Sequence, residues 1–375
     1  MKFEADRDVI AEAVNFVVRL LPQRASLPIL SGVLIEAKNN EITLSVFDYE
    51  VSAKSTVKAN VSTEGTVLVL GKLLSEIINK LPKDQVSFDL VDNKVNVTSA
   101  SAKFNLLTMP TSEYPDLPTL PETSGEVDGH VFSQAVTQVA HAASKEDVTP
   151  VLTGVLLESK NDSLNLVATD RYRVAVKSIP WKSTVTDSVL IPARTLQEIA
   201  RTFSNQGSLA VSIEKTEERQ MVAFSANNKS VTSVLLKGSF PAVLSLFPEN
   251  IEHEAIANVD EIEEATKRVS LVVDGDNPIR YNFGEGSATI KSITSETAQA
   301  SEDVNVELIG EEIGVSLKPQ FVLDGLSGMT TDHVSFGFTK NAQNPTKPGP
   351  LLFREKGDKA GEFKYLLQPN LLDEN

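Results

Sequence analysis

The stretch that decides the fold runs from residue 152 to residue 176 and has the sequence Leu-Thr-Gly-Val-Leu-Leu-Glu-Ser-Lys-Asn-Asp-Ser-Leu-Asn-Leu-Val-Ala-Thr-Asp-Arg-Tyr-Arg-Val-Ala-Val. A similar stretch occurs 122 residues earlier (154 − 32 = 122), where residues 30–50 are Leu-Ser-Gly-Val-Leu-Ile-Glu-Ala-Lys-Asn-Asn-Glu-Ile-Thr-Leu-Ser-Val-Phe-Asp-Tyr-Glu. The following pairs coincide without a gap: Gly32/Gly154, Val33/Val155, Leu34/Leu156, Glu36/Glu158, Lys38/Lys160, Asn39/Asn161, Leu44/Leu166 and Asp48/Asp170. This self-similarity indicates a duplicated domain.

Each copy predicts a β-hairpin flanked by helices. Apolar and polar residues alternate on both sides of Lys-Asn-Asn or Lys-Asn-Asp, the pattern of two strands joined by a short polar turn. Upstream, apolar positions at steps of three and four residues predict one helix, with the matches Val9/Val131, Ala13/Ala135, Val14/Val136 and Val17/Val139. Downstream, a second helical pattern has the matches Leu68/Leu190, Lys72/Arg194, Leu74/Leu196, Glu76/Glu198 and Ile77/Ile199. Further matches, Tyr114/Phe240 among them, indicate closing strands.

A third, more diverged copy fits the remaining sequence. At 375 residues the chain has room for two or three domains. Three apolar positions of the first helix recur 252 residues later (262 − 10 = 252), at Ile262, Ala265 and Val269, and residues 317–329 can supply a second helix. Proline-rich runs at 109–118 and 247–250 are typical of linkers. We therefore expect an α+β protein of three repeated domains, at residues 1–118, 121–248 and 249–375.

The sequence offers little catalytic chemistry. It has no cysteine, which excludes disulfides and thiolate sites, and its four histidines are scattered without metal-ligand spacing. It contains no Gly-x-x-x-x-Gly-Lys-Ser/Thr phosphate loop. The N-terminus has no apolar secretion signal, and no apolar run reaches the length of a membrane helix. We expect a cytoplasmic protein with no catalytic site, no cofactor and no metal.

Residues 169–173, Thr-Asp-Arg-Tyr-Arg, are the one place where the second copy adds chemistry that the first lacks. One interpretation is a solvated hairpin end. The other is a docking ledge, in which two guanidinium groups beside an aromatic ring hold the backbone or a carboxylate of a partner. Neither interpretation indicates catalysis.

Four motifs resemble signature stretches of the bacterial sliding clamp family, the beta subunit of DNA polymerase III. They are Leu27-Pro-Ile-Leu-Ser-Gly32, Val167-Ala-Thr-Asp-Arg-Tyr-Arg-Val174, Ser188-Val-Leu-Ile-Pro192 and Gly238-Ser-Phe-Pro241. The resemblance covers essentially the whole chain and implies three domains, each with two helices packed on antiparallel sheets. It also implies a homodimer in which two chains join head to tail into a six-domain ring around DNA. A repeat with exposed sheet edges can bury those edges by such closed pairing.

The resemblance implies a non-catalytic processivity factor, which binds double-stranded DNA without sequence specificity and tethers the polymerase. A net charge of −16 argues against ordinary surface binding of DNA, but a ring holds the duplex by encircling it. The candidate DNA-facing residues are Arg24, Lys72, Arg194 and Arg201. The protein is expected in the bacterial cytoplasm in association with the nucleoid, and a separate ATP-driven loader is expected to open the ring.

The resemblance also implies a pocket for short peptides, typically a glutamine followed by leucines or phenylalanine. The implied partners are the catalytic subunit of DNA polymerase III, the clamp loader, other polymerases and repair proteins. The matching pocket residues are Leu152, Thr169, Arg171, Tyr172, Arg173, Val174, Pro241, Ser245, Leu246, Leu366, Gln368, Pro369, Asn370, Leu371 and Leu372. Gln368 and Asn370 replace residues that are commonly apolar in the family, Leu371 replaces an arginine, and the chain continues through Asp373-Glu-Asn375, so we expect an altered peptide preference.

Two alternatives come from other classes of protein. A hydrolase built on carboxylates could use Asp48 and Asp170, although these lie in separate copies and have no histidine or nucleophile beside them. A β-rich scaffold with no role on DNA would keep the pocket but lack the basic helix faces.

Overall fold

The computed structural model describes the chain except for residues 23, 184–186, 218, 294–297, 341–346, 358–361 and 371–375. The described residues form six α-helices: α1 (Arg7–Val18), α2 (Gly71–Lys80), α3 (Gly129–Ala140), α4 (Ala193–Phe203), α5 (Val259–Ser270) and α6 (Pro319–Leu326). None of them is long and apolar enough to span a membrane.

The strands of the first two repeats are β1 (Lys2–Asp6), β2 (Gly32–Lys38), β3 (Glu41–Phe47), β4 (Val51–Lys58), β5 (Asn60–Thr63), β6 (Gly65–Leu70), β7 (Gln85–Val91), β8 (Lys94–Ser99), β9 (Ala102–Met109), β10 (Gly125–Val127), β11 (Gly154–Lys160), β12 (Ser163–Thr169), β13 (Arg173–Pro180), β14 (Lys182–Ser183), β15 (Ser188–Pro192), β16 (Leu209–Lys215), β17 (Gln220–Ala226) and β18 (Lys229–Val234). Those of the third are β19 (His253–Asn258), β20 (Ile279–Phe283), β21 (Ser287–Ser292), β22 (Ser301–Ile309), β23 (Ile313–Leu317), β24 (His333–Phe338), β25 (Leu351–Lys356) and β26 (Lys364–Leu367).

The repeated hairpins lie where the sequence predicts them. The strands β2 and β3 pair with Lys38 opposite Glu41, and β11 and β12 pair with Lys160 opposite Ser163. The intervening Asn39 and Asn40 have φ of 52° and 58°, the left-handed values that a two-residue hairpin turn requires and that asparagine tolerates.

The predicted third repeat is also confirmed as a structural unit of the same kind. The positions matched across the chain, Ile10, Ala13 and Val17 on α1 and Ile262, Ala265 and Val269 on α5, are all buried. Each helix follows a strand and begins at a polar cap, the side chain of Asp6 for α1 and of Asn258 for α5. The apolar stripe therefore packs on a sheet in both repeats.

The chain divides into two compact units, and the central repeat contributes to both. The first unit comprises Met1–His130, Lys182–Val185 and Glu198–Leu235. Its strands form one 14-stranded sheet, in which β4 of the first repeat pairs antiparallel with β18 of the second. Helices α1 and α2 pack together, and α1 covers β3 and β4.

The second unit comprises Val131–Trp181, Thr186–Gln197 and Leu236–Asn375. It contains a 12-stranded sheet, in which β13 of the second repeat pairs antiparallel with β26 of the third. Helices α5 and α6 pack together, α5 on β19, β21 and β22 and α6 on β26. All strand pairs in the described residues are antiparallel, as the sequence predicts, because hairpins build both sheets.

Candidate functional site

The second unit contains a buried arginine that ties four elements together. The Arg173 side chain, at the start of β13, is only 3% exposed. Its guanidinium donates hydrogen bonds to the carboxylate of Asp170 (2.9 Å), the carbonyl of His141 (2.6 Å) and the hydroxyl of Tyr365 (3.2 Å), and it forms an ion pair with Asp324 on α6. The end of α3, the turn before β13, α6 and β26 therefore meet at one side chain.

These contacts fix the charge state of the arginine. Burial alone would lower the pKa of Arg173, but Tyr365, Asp324 and Asp170 outweigh it and raise that pKa. Burial in turn raises the pKa of the Tyr365 phenol, against the opposing effect of Arg173. The guanidinium donors of Arg173 are therefore engaged with partners inside the chain, and its role in docking a partner stays a prediction.

An open cavity of about 720 Å³ lies beside this arginine. Its lining includes Leu152, Arg171, Tyr172, Lys318 and Phe321. The Tyr172 and Phe321 rings stack with centroids 6.2 Å apart, and Arg173 lies under Phe321 at 4.3 Å from its centroid. Because Tyr172 is 59% exposed, the cavity presents an aromatic wall to solvent.

A second, apolar compartment lies beside β13, the strand that begins with Arg173. Val174 and Leu366 are cross-strand partners in a buried cluster with Val167, Val243 and Leu352. Phe240, Phe247 and Ile251 pack against this cluster while remaining partly exposed. On the same 3-10 turn as Val243 (Val243–Leu246), Leu244 and Leu246 are 43% and 57% exposed. Exposed leucines beside a partly covered apolar cluster are typical of a surface that takes apolar side chains of a partner.

The other predicted pocket residues lie around these two compartments. The Thr169 hydroxyl donates to the carbonyl of Arg173 (2.7 Å), and the Gln368 amide donates to the carbonyl of Tyr172 (2.8 Å). The amide of Asn370 donates to the carbonyl of Ser316 (2.8 Å). Pro241, Ser245 and Gln368 are exposed, Asn370 is half-buried and Pro369 is buried. Leu371 and Leu372 lie outside the described residues.

Arg171 differs from Arg173 although the two are separated by one residue. It has a φ of 81° and an exposed side chain, which hydrogen-bonds the hydroxyl of Thr149 at the cavity wall. The guanidinium retains further donors toward the cavity. Of the two predicted docking cations, Arg171 is the one on the surface.

The predicted DNA-facing cations are exposed side chains on three different segments. Arg24 lies in the loop after α1, Lys72 in the first turn of α2, and Arg194 in the first turn of α4. Arg201, in the last turn of α4, forms a surface ion pair with Glu198 at 2.8 Å. Such a pair is weak enough to exchange for a phosphate.

Sequence reasoning missed the residues that α6 contributes. Lys318, Phe321 and Asp324 lie outside the matched motifs, and the sequence marked this segment only as a helix. One signal was available: Arg173 begins the run Arg-Val-Ala-Val of β13, an arginine beside buried apolar residues needs a carboxylate partner, and Asp324 is the single acidic residue on α6.

The two carboxylates proposed for hydrolysis accept hydrogen bonds from backbone amides. Asp48 accepts hydrogen bonds from the amides of Glu50 and Val51, and Asp170 accepts them from the amides of Tyr172 and Arg173. Each closes a turn of the same form at the end of its hairpin. In the described part of the chain, no cluster of three or more histidine or acidic side chains could hold a metal.

Comparisons with known proteins agree with this architecture. Three family models match in order: the N-terminal domain of the DNA polymerase III beta subunit over residues 1–118, its central domain over 126–242 and its C-terminal domain over 244–362. The beta sliding clamp of Streptomyces coelicolor is 40% identical over 98% of this chain and 99% of its own, and that of Micrococcus luteus is 41% identical over 81% and 98%. The crystal structure of the sliding clamp from Bacillus subtilis superposes with a TM-score of 0.90 at 25% identity, covering 99% of both chains.

A threefold repeat of helices packed on antiparallel sheets, matched by these family models, is the architecture of a clamp-type accessory protein. The chain belongs to the DNA polymerase III beta subunit family, the bacterial sliding clamps. It is a DNA sliding clamp for polymerase processivity and not an enzyme, and the hydrolase and scaffold alternatives are not favoured. Membership implies partnership with DNA and with a polymerase, and dimerisation.

Proposed function

We propose that two copies of this chain close head to tail into a ring around duplex DNA, and that the groove of the second unit holds the peptides of a polymerase, a clamp loader and repair proteins. The domains of this ring are residues 1–118, 121–248 and 249–375. Acting as a topological tether, the ring raises the effective concentration of the polymerase at the primer end. Its site of action is the nucleoid.

The observation that supports the ring is a pair of sheet edges that lack a partner strand within the described residues. Residues 102–107 of β9 pair with β8 on one side, and β9 meets β6 only at Thr108 and Met109. Residues 301–305 of β22 pair with β21, and β22 meets β19 only from Val306 onward. Within the described residues, each of these two segments thus has one unpaired edge that can accept a strand from another copy.

Exposed apolar side chains accompany the two edges. The β9 edge carries Lys103 with Phe104 and Leu107, which are 39% and 65% exposed. On the β22 edge, Glu302 is ion-paired with Arg268 at 2.6 Å and Asp303 accepts a hydrogen bond from the Thr289 hydroxyl at 2.6 Å, and Leu271 after α5 is 83% exposed. Exposed apolar side chains therefore lie on the β9 edge and in the unit that contains the β22 edge, which supports a heterologous interface between two copies.

The experiment for the ring is retention on DNA. The protein is loaded by a bacterial clamp loader with ATP onto nicked circular duplex, the complex is isolated, and the DNA is then linearised. We expect stable retention on the circle and release on cutting. The Leu107→Asp variant, which places a charge in the interface, is expected to be monomeric in sedimentation and to be lost from the circle as well. Equal retention of the wild type on circular and linear DNA would contradict encirclement.

The groove is tested by peptide binding to surface variants. Polar substitution of Leu152 or Leu246 is expected to abolish binding of a peptide with glutamine, leucines and phenylalanine. Leu246→Ser is the cleaner variant, because Leu246 is exposed whereas Leu152 is buried. Val234→Ser in the first unit, also at an exposed apolar residue, is the matched control and should bind normally. Unchanged affinity of Leu246→Ser, measured by fluorescence anisotropy, would refute the placement of the peptide.

A further inference from the structure

The cavity beside Tyr172 contains a cation whose position the peptide motif does not explain. Lys318 precedes the first turn of α6, and its Nζ lies 5.4 Å from the Phe321 centroid and 5.9 Å from the Tyr172 centroid. Its ion-pair partner is Asp276 at 3.4 Å, whose side chain is 93% exposed. An ion pair with so exposed a partner contributes little and exchanges readily for a better-placed carboxylate.

The charges in the lining of the cavity balance. The lining has four cations, Lys145, Arg171, Arg173 and Lys318, and four anions, Glu146, Asp170, Asp276 and Asp324. Asp170 and Asp324 are both ion-paired with the buried Arg173, whereas Lys318 pairs with the exposed Asp276 at 3.4 Å. The attraction for a negative side chain of a ligand is therefore local to Lys318 and does not come from a net positive charge of the cavity.

The aromatic wall favours a short aliphatic stem on that negative group. The stacked Tyr172 and Phe321 rings form one side of the cavity, with Lys318 above both rings. A glutamate can lay its methylene groups on the Tyr172 face while its carboxylate reaches the ammonium, which is the arrangement that amphipathic side chains adopt on apolar surfaces.

We propose that this cavity is a specificity pocket for an acidic residue that flanks the apolar residues of the docking peptide, with Lys318 as the residue that binds its carboxylate. This inference rests on the proposed peptide groove and adds to it the chemical class of a flanking side chain. Asp276 forms an ion pair with Lys318 when no peptide is bound, and the carboxylate of the bound peptide replaces Asp276 in that pair.

The test measures peptide affinity by fluorescence anisotropy with the full-length protein. Synthetic peptides share one core of glutamine, leucines and phenylalanine and carry either glutamate or glutamine at a single flanking position, scanned on both sides of the core. At one flank, glutamate is expected to bind about five- to tenfold more tightly than glutamine at low salt, and this ratio should shrink as the ionic strength rises.

Five variants assign the effect. Lys318→Gln should reduce the glutamate-to-glutamine ratio to about one, as expected when the binding cation is removed, while leaving the core peptide bound. Lys318→Arg should restore part of the ratio, and Asp276→Asn should raise it by removing the competitor. Arg171→Gln tests the competing assignment to the exposed arginine of the cavity and should keep most of the ratio. Lys291→Gln, at an exposed lysine of the second unit outside the cavity lining, is the matched control and should leave the ratio unchanged.

The outcomes separate this inference from the groove itself. If no core peptide binds, the proposed groove fails. If the core binds but no flank distinguishes glutamate from glutamine, the acidic pocket is overturned and the groove stands. If the ratio survives in Lys318→Gln and disappears in Arg171→Gln, the assignment to Lys318 is wrong.

Discussion

A sheet continues from one repeat into the next at two places. The two places have the same backbone pairing but different side chains. In the first unit β4 pairs with β18, and in the second unit β13 pairs with β26. The amide of Val234 donates to the carbonyl of Glu50 at 2.9 Å, and the amide of Gln368 donates to the carbonyl of Tyr172 at 2.8 Å. The two acceptors are matched positions of the repeat, 122 residues apart in the chain (172 − 50 = 122). We call these places the first and the second junction.

Matched cross-strand pairs distinguish the two junctions. At the first, Ser52 faces Thr232 and their buried hydroxyls hydrogen-bond at 2.7 Å. At the second, the corresponding pair is Val174 and Leu366, which belongs to the apolar cluster. Two hydroxyls that hydrogen-bond each other are already satisfied within the chain. Apolar surface at a strand end is stabilised when another chain covers it and removes it from water.

The residue below each junction differs in the same sense. Tyr114 is 8% exposed, and its hydroxyl accepts a hydrogen bond from the Phe47 amide at 2.7 Å, which closes the first junction. Its counterpart Phe240 has no hydroxyl and remains partly exposed against the apolar cluster. One phenolic oxygen thus accompanies the difference between a closed and an open surface.

The largest difference between the two junctions is at the matched position that is Val51 in the first and Arg173 in the second. Val51 is a half-buried strand residue, whereas Arg173 is buried with two carboxylates. The arginine fixes the distance between the hairpin end and α6, and the cavity lies in the space so defined. The paired strands are common to both junctions. The buried Arg173, with its ion-pair partner Asp324 on α6, distinguishes the second junction as a candidate binding site.

The largest expected effect is the loss of this cation. Arg173→Met leaves Asp170 and Asp324 without their partner, each only 13% exposed, and should lower the free energy of unfolding by about 3–5 kcal/mol. Urea unfolding followed by the fluorescence of the single tryptophan, Trp181 in the second unit, measures this change. Val51→Ala is the matched variant of the first junction and should cost about 1 kcal/mol. A loss for Arg173→Met no larger than that of Val51→Ala would mean that the cation is dispensable.

The second effect concerns the phenol that closes the first junction. Burial raises the pKa of Tyr114 to about 12, against the lowering effect of the Phe47 amide and with a smaller raising effect of Asp48. The folded state holds this proton more tightly than the unfolded chain, whose phenol has a pKa of about 10. The resulting stabilisation is complete below pH 10 and is lost as the pH rises through 12, by at most about 3 kcal/mol.

Ultraviolet titration of the phenols checks this sign. The difference between the wild type and Tyr114→Phe should show one ionisation near pH 12. At neutral pH, Tyr114→Phe should also cost about 1 kcal/mol, because the Phe47 amide loses its acceptor. A difference titration centred near pH 10 would mean that the first junction is open to solvent.

Much of the fold could be predicted from the sequence because the hairpin and helix patterns of the first repeat occur again in the second. The hairpins, their asparagine turns and the paired helices follow from local periodicity and an offset of 122 residues (154 − 32 = 122). The pairing of β4 with β18 and of β13 with β26 could not be predicted this way. Such contacts join residues far apart in the chain, and nothing in the local pattern specifies the partner of an edge strand.

The sequence proposes a set of candidate site residues but does not separate their roles. The motif match proposed Tyr172, Val174 and Leu366, and it treated Arg171 and Arg173 alike. In the structure Arg171 has a φ of 81° and an exposed side chain, whereas Arg173 is buried and pairs with the carboxylate of Asp324, 151 residues away in the sequence (324 − 173 = 151). Burial and charge pairing depend on the assembled fold and have no local signal.

The smallest expected effect tests whether the hydroxyl pair keeps the first junction closed. Thr232→Val leaves the buried Ser52 hydroxyl without its partner and should cost about 1–2 kcal/mol in the free energy of unfolding, and Ser52→Ala should cost a similar amount. The double variant Ser52→Ala with Thr232→Val removes both hydroxyls, so its cost should fall short of the sum of the single costs by about 1 kcal/mol. Unfolding by circular dichroism gives the free energies, and amide hydrogen exchange in β4 and β18 locates the change. Because Val174 and Leu366 have no hydroxyl to lose, a matched cycle with Val174→Ala and Leu366→Ala should instead reflect lost apolar contacts at the second junction. Strict additivity at Ser52 and Thr232 would show that the two hydroxyls are satisfied independently, and the closed state of the first junction would then rest on Tyr114 alone.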